Sequence, residues 1–424
     1  MIFLDFSIKR RIIEMFKFKY DNLKMKTTPI VWEETEQDKL YLQEIRDFLN
    51  SEEIPFEEDS EQTGVFHLND KALQLRYVNS FIHPMDNEKR FGPIGKGIKH
   101  SYFMDISHEN ADEGIRTIWI FDHEMGMTKD NTYEGVEYKN YHRQWEVIKN
   151  IIRTATGRIK YHFYARDCEI REVDSKDIRP FLEHNCFYGY RSANVNLGLY
   201  LKKDKLGFKK GTLLFFLSFG YNFYGNKKKS DHPNIEIIRA STKLYCQVVG
   251  GMSKAITYFC ENYPTLKIGG DKHEIAVDNL IFYCDASHND GRGMSHSALN
   301  FEFVSWDCSG IMNLFTEDYD GSKDDRILKV EKKDKDGNIT IDERNFHGIK
   351  GTKGEIQHRK PMFHKQIMQL MSEGKIISIS NAGTSVYTIS RQEWLRRNCQ
   401  KWYEQNWENE AKQLKEKGFY LNDE

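Results

Sequence analysis

Two stretches of this 424-residue chain carry side chains whose types and spacing could do chemistry. In the first, Asp122, His123 and Glu124 follow the apolar run Ile115–Phe121, which predicts a buried strand with a polar end. Carboxylates can hold Mg²⁺ beside a scissile phosphate and a histidine can move a proton, so this group could serve phosphodiester hydrolysis. A polar strand end without any catalytic role explains the same residues.

The second stretch runs from Gln247 to Met252, where Gly250 and Gly251 end a predicted strand and open a predicted helix. A glycine turn at a helix start aims backbone N–H groups at a phosphate. This turn resembles the one that binds the coenzyme A pyrophosphate in acetyltransferases, although Met252 stands where a small residue is usual. A coenzyme site at Gly250 and Gly251, a DNA phosphate contact and a purely structural turn all remain open.

Basic residues interleave with tyrosines and phenylalanines through the middle of the chain. Lysine and arginine suit phosphate contacts, and aromatic rings suit base stacking. The candidate DNA-binding residues are Arg166, Arg191, Lys243, Lys254, Arg292, Arg359 and Lys360. Since 62 Lys and Arg nearly balance 64 Asp and Glu, any DNA binding must come from local patches. Each of these side chains alone could equally be solvated or salt-bridged.

Hydrophobic periodicity predicts a mixed α/β chain. In the first part the predicted elements are a helix over Gln37–Asn50, strands over Val65–Leu68 and Ala72–Val78 around an Asn69-Asp70-Lys71 turn, and a helix over Tyr141–Thr154. Farther on, they are strands over Thr212–Phe219 and Leu280–Cys284 and a helix over Ser253–Asn262. The order of the elements in the first part, with the Ile115–Phe121 strand included, is compatible with a restriction-endonuclease-like core.

The domain organisation follows from shifts in composition. We expect a basic amphipathic arm over 1–28, one domain over 29–160, a second over 161–390 with an insertion at 320–343, and a charged, tryptophan-bearing helix over 391–424. The insertion has Asp-Gly near its centre, which predicts a solvated hairpin. The arm and the terminal helix could each bind a protein partner, or pack on the body.

Composition excludes several classes. Hydrophobic residues make up 39% of the chain and aromatic residues 13%, which is typical of a folded protein. No apolar run is long enough to span a membrane, and the first residues do not resemble a signal peptide. The seven cysteines form no C-x-x-C pair, so we expect reduced, mostly buried thiols.

A series of sequence blocks in the second half resembles phage-type homing endonucleases. These blocks are Tyr164–Cys168, Phe181–Asn185, Gly189–Arg191, Asn196–Tyr200, Val248–Lys254 and Asp285–Arg292, and Asn381–Tyr387 closes the matching region. The resemblance implies an α/β fold of mixed α+β type, with a restriction-endonuclease-like nuclease domain of the very-short-patch-repair type before an acetyltransferase-like domain. It also implies double-stranded DNA as partner and the cytoplasm of an infected bacterial host as location.

The resemblance also implies where a nuclease site would lie. The candidate catalytic residues are Glu44, His100, Asp105 and Asp122. Of these, Glu44 and Asp122 would bind Mg²⁺. A solvent-facing helix carboxylate at Glu44 and a surface-loop histidine at His100 are the alternatives.

Three positions depart from the family's nuclease pattern. Val65 stands where an acid belongs on the first strand, Arg76 where a second carboxylate is common, and Phe103 where a histidine is expected. An arginine stays protonated and cannot ligate Mg²⁺. Substitute ligands near in sequence are His67, Asp70, His100 and Asp105. The sequence thus leaves three hypotheses: a DNA-binding, Mg²⁺-dependent endonuclease, an inactive descendant that binds DNA or acts as a structural or interaction protein, and a coenzyme A-dependent acyltransferase.

Overall fold

The computed structural model of the chain has a mixed α/β fold, as the sequence predicts. It describes residues 27, 30, 32–80, 101–126, 128–221, 234–268, 273–289, 299–307, 311–315, 327–333, 339–345 and 376–419, with backbone alone for 307, 311–315, 327–333, 339–345 and 376–378. His100, Arg292, Arg359 and Lys360 lie outside the described residues, as does the predicted arm apart from Thr27. No helix within these ranges is long and apolar enough to cross a membrane.

The first part of the described chain, residues 32–160, is called the N-terminal lobe. Its helices are α1 Glu36–Ser51, α2 Tyr102–Asp112, α3 Asp122–Gly126 and α4 Arg143–Ala155. Its strands are β1 Phe56–Glu58, β2 Val65–Leu68, β3 Leu73–Val78, β4 Arg116–Phe121, β5 Lys129–Tyr133 and β6 Val136–Tyr141. A four-stranded sheet has the order β1-β2-β3-β4, with β3 and β4 parallel. The predicted elements of this lobe are therefore confirmed, with bounds shifted by one or two residues.

Local sequence explains the start of the sheet. Thr35 and Asp38 form a capping box at the start of α1, and Leu42, Ile45 and Leu49 then bury one face of that helix. The turn between β2 and β3 places Asn69, Asp70 and Lys71 at positive φ, which asparagine and aspartate tolerate well. The hairpin is thereby fixed in a register that sets Val65 opposite Arg76.

The rest of the described chain, residues 161–419, is called the C-terminal lobe. Its helices are α5 Ser175–Asn185, α6 Gly251–Asn262, α7 Ala286–Asn289, α8 Arg391–Asn398 and α9 Gln400–Glu416. Its strands are β7 Tyr161–Tyr164, β8 Cys168–Glu172, β9 Val195–Leu201, β10 Leu213–Tyr221, β11 Asn234–Thr242, β12 Cys246–Val249, β13 Thr265–Ile268, β14 His273–Ala276, β15 Asn279–Asp285, β16 Glu302–Asp307, β17 Ile311–Phe315, β18 Ile327–Lys333, β19 Ile339–Asn345, β20 Ile376–Ser380 and β21 Thr384–Ser390.

A seven-stranded sheet of order β16-β21-β15-β11-β10-β9-β8 is the centre of this lobe. Its strands pair antiparallel except β11 and β15, which are parallel. Helix α6 packs on the sheet, where the rings of Phe219 and Phe259 stack with centroids 3.8 Å apart. Strands β7 and β12 form a separate parallel pair, and β12 leads directly into α6.

The two lobes have largely separate cores and share a smaller one. In the shared core, Phe103, Trp119 and Phe121 of the N-terminal lobe pack with Ala286, Ile379 and Ala382 of the C-terminal lobe. Phe103, which stands where the family's histidine is expected, is completely buried there. Its ring packs edge-on against Trp119 and Phe121 of the same lobe, within the core that the two lobes share.

Two predictions outside the main sheets can also be compared with the fold. The insertion contains the predicted hairpin, since β18 and β19 pair antiparallel, and its tip at 334–338 lies outside the described residues. The end of the chain differs from the prediction of one helix over 391–424, because α8 and α9 are separated at Cys399. Cys399 leaves helical geometry, at φ −137° and ψ 43°, and its buried thiol lies 3.7 Å from the Thr257 hydroxyl on α6. The six described cysteines are free and buried, as expected.

Candidate functional site

The side chain of Asp38 is the hub of the first polar cluster in the N-terminal lobe. It is 1% exposed, and its oxygens accept hydrogen bonds from Tyr77 Oη at 2.7 Å and from Asn79 Nδ2 at 2.9 Å. Thr35 donates to it from both its backbone and its hydroxyl. Buried carboxylates are stable when donors surround them in this way. Both oxygens of Asp38 are thus already committed to protein donors.

Asp122, a predicted metal ligand, lies at the start of α3 and is also buried. Its Oδ1 accepts hydrogen bonds from the Ser80 hydroxyl and, at 2.7 Å, from the backbone N–H of His123. The imidazole Nδ1 of His123 lies 3.2 Å from the same hydroxyl. Ser80, Asp122 and His123 therefore contact one another, which gives the predicted acid structural partners.

Glu44, the other predicted metal ligand, lies on α1 and accepts a 2.6 Å hydrogen bond from the indole N–H of Trp145. Burial, followed by the charges of Asp122, Glu44 and Asp38, raises the pKa of Tyr41 to about 12. The three carboxylates therefore act on one phenol. Asp105 lies on α2 instead and accepts a 2.8 Å hydrogen bond from Ser101.

Arg76 is buried at the centre of the sheet. Its guanidinium donates to Gln74 Oε1 at 2.6 Å and to Gln62 Oε1 at 3.2 Å, and it lies 5.7 Å from the ring centroid of Trp119. Burial lowers the pKa of this guanidinium, which remains a cation at neutral pH. A cation held here by neutral amides repels a divalent ion.

The donor set of the described residues does not fit Mg²⁺. Within the described ranges, no three His, Cys, Asp or Glu side chains come together as ligands. Asp38 accepts hydrogen bonds on both oxygens, Asp122 accepts two on its Oδ1, and Glu44 bonds to Trp145. Among the substitute ligands, His67 pairs with Asp59 at 3.1 Å, and Asp70 lies in the hairpin turn.

A second polar cluster joins the lobes and is called the interlobe cluster: the buried Glu124 and His288, the partly buried Asp285 and the exposed Tyr188. His288 Nδ1 lies 2.9 Å from Asp285, and its Nε2 lies 3.4 Å from Glu124 of the other lobe. Tyr188 donates to Asp285 at 2.7 Å. Burial opposes the charged imidazole, but Glu124 and Asp285 outweigh it and raise the pKa of His288 to about 10. A protonated histidine thus lies between two carboxylates.

The interlobe cluster was only half visible in the sequence. Asp285 accepts a hydrogen bond from the Ser287 N–H at 2.8 Å, a contact between near neighbours in sequence. Glu124 and His288 were not predicted as partners, because 164 residues separate them. Glu124 and His288 each follow a buried strand. Polar residues after the ends of two such strands are the sequence signal from which their contact could have been predicted.

The predicted DNA-binding residue Arg166 lies on an exposed basic surface, formed by Tyr164, Arg166, Lys202 and Lys254. The Arg166 guanidinium lies 4.8 Å from the ring centroid of Tyr164, a side chain that is 44% exposed. Lys202 Nζ donates to the Arg166 carbonyl at 3.0 Å. Within the described residues, no carboxylate pairs with either cation, so both charges face solvent.

Lys254 contributes to the same surface in a different way. Its Nζ donates to the carbonyls of Ala165 and Cys168, the first at 2.9 Å, and thereby fixes the turn that carries Arg166. Its ammonium is consequently a positioning group, and its charge adds to the local field. Burial and the nearby Lys202 lower the pKa of Lys254, which indicates that these cations are close together.

Gly250 and Gly251 lie beside this surface at the start of α6. Gly250 has a φ of 77°, a conformation that favours glycine, and a Cβ there would lie 3.6 Å from that of Ala165. A Cβ on Gly251 would meet Val248 at 3.2 Å and Phe215 at 3.3 Å. Packing and turn geometry explain both glycines. The backbone N–H groups in the first turn of α6 also place the positive end of the helix dipole beside this surface.

The other described candidates are held by acids. Lys243 donates to Glu134 at 2.7 Å and to the hydroxyl of Tyr133 at 2.8 Å. Arg191 lies 3.6 Å from Glu236. These pairs match the salt-bridged alternative for both residues, so neither supports DNA binding as directly as Arg166.

Comparison with known proteins adds no assignment to this geometry. The chain matches no protein-family model. No curated protein matches it at a significant level.

Proposed function

We propose that this protein binds double-stranded DNA through the basic surface of its C-terminal lobe. The observation that carries the proposal is the set of cations Arg166, Lys202 and Lys254 beside the exposed ring of Tyr164, next to the start of α6. DNA carries a dense row of phosphates, and affinity for it comes mainly from such cations. A helix start adds backbone N–H donors for the same ligand.

The proposal includes an origin for the two lobes. The sequence blocks from Tyr164 to Tyr387 make the protein a relative of phage-type homing endonucleases, acting in the cytoplasm of an infected bacterial host. The N-terminal lobe then corresponds to the restriction-endonuclease-like domain, and the C-terminal lobe to the acetyltransferase-like one. The parallel pairing of β3 with β4 and of β11 with β15 supports both correspondences.

In this proposal the N-terminal lobe supports DNA binding and does not cut. Two observations support this part: Arg76 is a buried cation, and no three His, Cys, Asp or Glu side chains come together as ligands among the described residues. A nuclease of this type needs carboxylates gathered on Mg²⁺ beside the scissile phosphate. The protein is therefore the catalytically inactive alternative of the three hypotheses.

Replacing both Arg166 and Lys202 with alanine should weaken duplex DNA binding across all sequences. Each phosphate contact that is lost should also lower the slope of log K against log salt by about 0.9, so the double variant should lose about 2 from the slope. Fluorescence anisotropy over a salt series measures both quantities. Arg171→Ala is the matched control, because that exposed arginine is already paired with Glu169.

Three outcomes would overturn the DNA-binding proposal. The parent protein could fail to bind duplex DNA even at low salt. The double variant could keep the affinity and salt slope of the parent, or Arg171→Ala could weaken binding equally.

Purified protein should leave duplex DNA uncut in Mg²⁺ or Mn²⁺. We expect the parent and Asp122→Ala to be indistinguishable in a nicking assay on supercoiled plasmid, because Asp122 bonds to Ser80 and His123. Metal-dependent nicking by the parent that disappears in Asp122→Ala would refute the inactive state. DNA binding measured on the same samples keeps the two results separate.

A further inference from the structure

A cavity of about 460 Å³ lies between the two lobes, away from the residues of the basic surface. Strands β11 and β15 pair in parallel only from Asn234 and Asn279 to Ile237 and Phe282, although both strands continue beyond that point. Residues 238–242 and 282–285 then line the cavity, and α4 of the other lobe closes it. Ligand sites of this volume are common at domain boundaries.

The lining carries more positive than negative charge. Arg116 and Arg239 contribute cations, whereas the charge of His288 is offset by Asp285 and Glu124. Among the described residues, Arg239 donates to two carbonyls, from Nε to Gly189 at 3.0 Å and from Nη1 to Ile238 at 2.9 Å. The site is therefore electrostatically suited to an anion.

Arg116 supplies the most specific indication. Its Nη2 donates weakly to the His288 carbonyl at 3.3 Å, and its buried Nε has no hydrogen-bond partner within the described residues. An unpartnered buried N–H costs free energy, which a bound acceptor would recover. Guanidinium groups match the geometry of phosphate oxygens particularly well.

The rest of the wall suits a planar polar ring. Val147, Ile151 and Val248 are apolar, and Gln247 adds an amide-bearing residue to the lining. Asn150 uses its Oδ1 on the Tyr245 N–H at 2.7 Å, which leaves its amino group for a ligand. Amides of this kind recognise the donor and acceptor edge of a base.

We infer that this cavity binds a free mononucleotide, with its phosphate on Arg116 and its base among Gln247, Asn150 and the apolar wall. The phosphate accepts from the guanidinium, and the base takes the position between α4 and the separated strands. This ligand would bridge the lobes, since Arg116 and α4 belong to one and Gln247 to the other.

Calorimetry with adenosine monophosphate, adenosine and inorganic phosphate tests the inference. We expect adenosine monophosphate to bind, and Arg116→Gln to weaken it roughly 10- to 100-fold through the loss of charged hydrogen bonds. Thr154→Trp, at an exposed position on the cavity wall, should block binding while leaving the fold intact. Arg158→Gln is the control, because that exposed arginine bonds to the Glu53 carbonyl and does not line the cavity.

Four results would overturn the inference. Adenosine monophosphate could give no heat, adenosine or inorganic phosphate alone could bind as tightly, Arg116→Gln could bind as well as Arg158→Gln, or Thr154→Trp could bind unchanged. Duplex DNA affinity is measured on the same variants and is expected to stay at the parent value, so a failure here is distinct from a failure of DNA binding.

Discussion

Replacing His288 with leucine is expected to lower the free energy of unfolding by about 3–5 kcal/mol, the usual effect of removing one partner from a buried ion pair. His288 is 3% exposed and lies between Asp285 and Glu124. Without it, Asp285 keeps Tyr188 and the Ser287 N–H, but Glu124 keeps only the Phe121 N–H among the contacts of this cluster. Two carboxylates would then be buried without a cation.

The same variant should change how stability depends on pH. An unfolded histidine titrates near about 6.5. In the folded protein, burial acts to lower the pKa of His288, but the charges of Glu124 and Asp285 outweigh burial and raise this pKa to about 10. A raised folded-state pKa contributes stability that is complete below the unfolded pKa and is lost as the pH rises through the folded pKa. The difference between the parent and His288→Leu should therefore be largest at mildly acidic pH, below about 6.5, and should shrink as the pH rises towards about 10.

Urea denaturation followed by tryptophan fluorescence at several pH values measures this difference. His162→Leu is the matched control, because that exposed histidine should change stability by no more than about 0.5 kcal/mol. If His288→Leu costs no more than His162→Leu, or if its cost is constant with pH, the interlobe cluster is not a stabilising ion pair.

The parts of the fold that the sequence predicted are those in which local patterns decide the structure. The helix α1 could be predicted because apolar residues recur at helical spacing behind a Thr35 cap, and the β2–β3 hairpin because Asn69 and Asp70 favour its turn. The break at Cys399 could not be predicted, since it depends on a thiol packed against Thr257, 142 residues away in sequence. Tertiary packing there overrides helix propensity.

The candidate sites divide in the same manner. Arg166 could be found from its basic and aromatic neighbours in sequence, because Tyr164 and Arg166 also lie together in space. Lys243 has similar neighbours, yet Glu134, 109 residues earlier, neutralises it. The cavity beside Arg116 arises where two parallel strands separate, and no local pattern encodes that separation.

Replacing Glu410 with alanine should destabilise the protein by about 3 kcal/mol, because it leaves the Arg391 guanidinium buried without its carboxylate. Arg391 is 1% exposed, and its Nη1 donates to Glu410 while its Nε donates to the Cys260 carbonyl at 2.7 Å. Its guanidinium also lies between the rings of Trp402 and Trp407, with centroids 5.9 and 5.7 Å away. These contacts tie α8, α9 and α6 together, so Trp402 and Trp407 contribute to the packing of the terminal helices.

A double variant distinguishes the net contribution of this ion pair to stability from the destabilisation caused by removing one of its partners. Arg391→Met together with Glu410→Met removes both charges and fills the space with apolar side chains, and buried pairs replaced in this manner often lose little stability. We therefore expect the double variant to be more stable than Glu410→Ala in urea denaturation, and its cost to be well below the sum of the two single methionine variants. Additive costs would show that Arg391 and Glu410 act independently, and the carboxylate on α9 would then not be what holds the buried guanidinium of α8 in place.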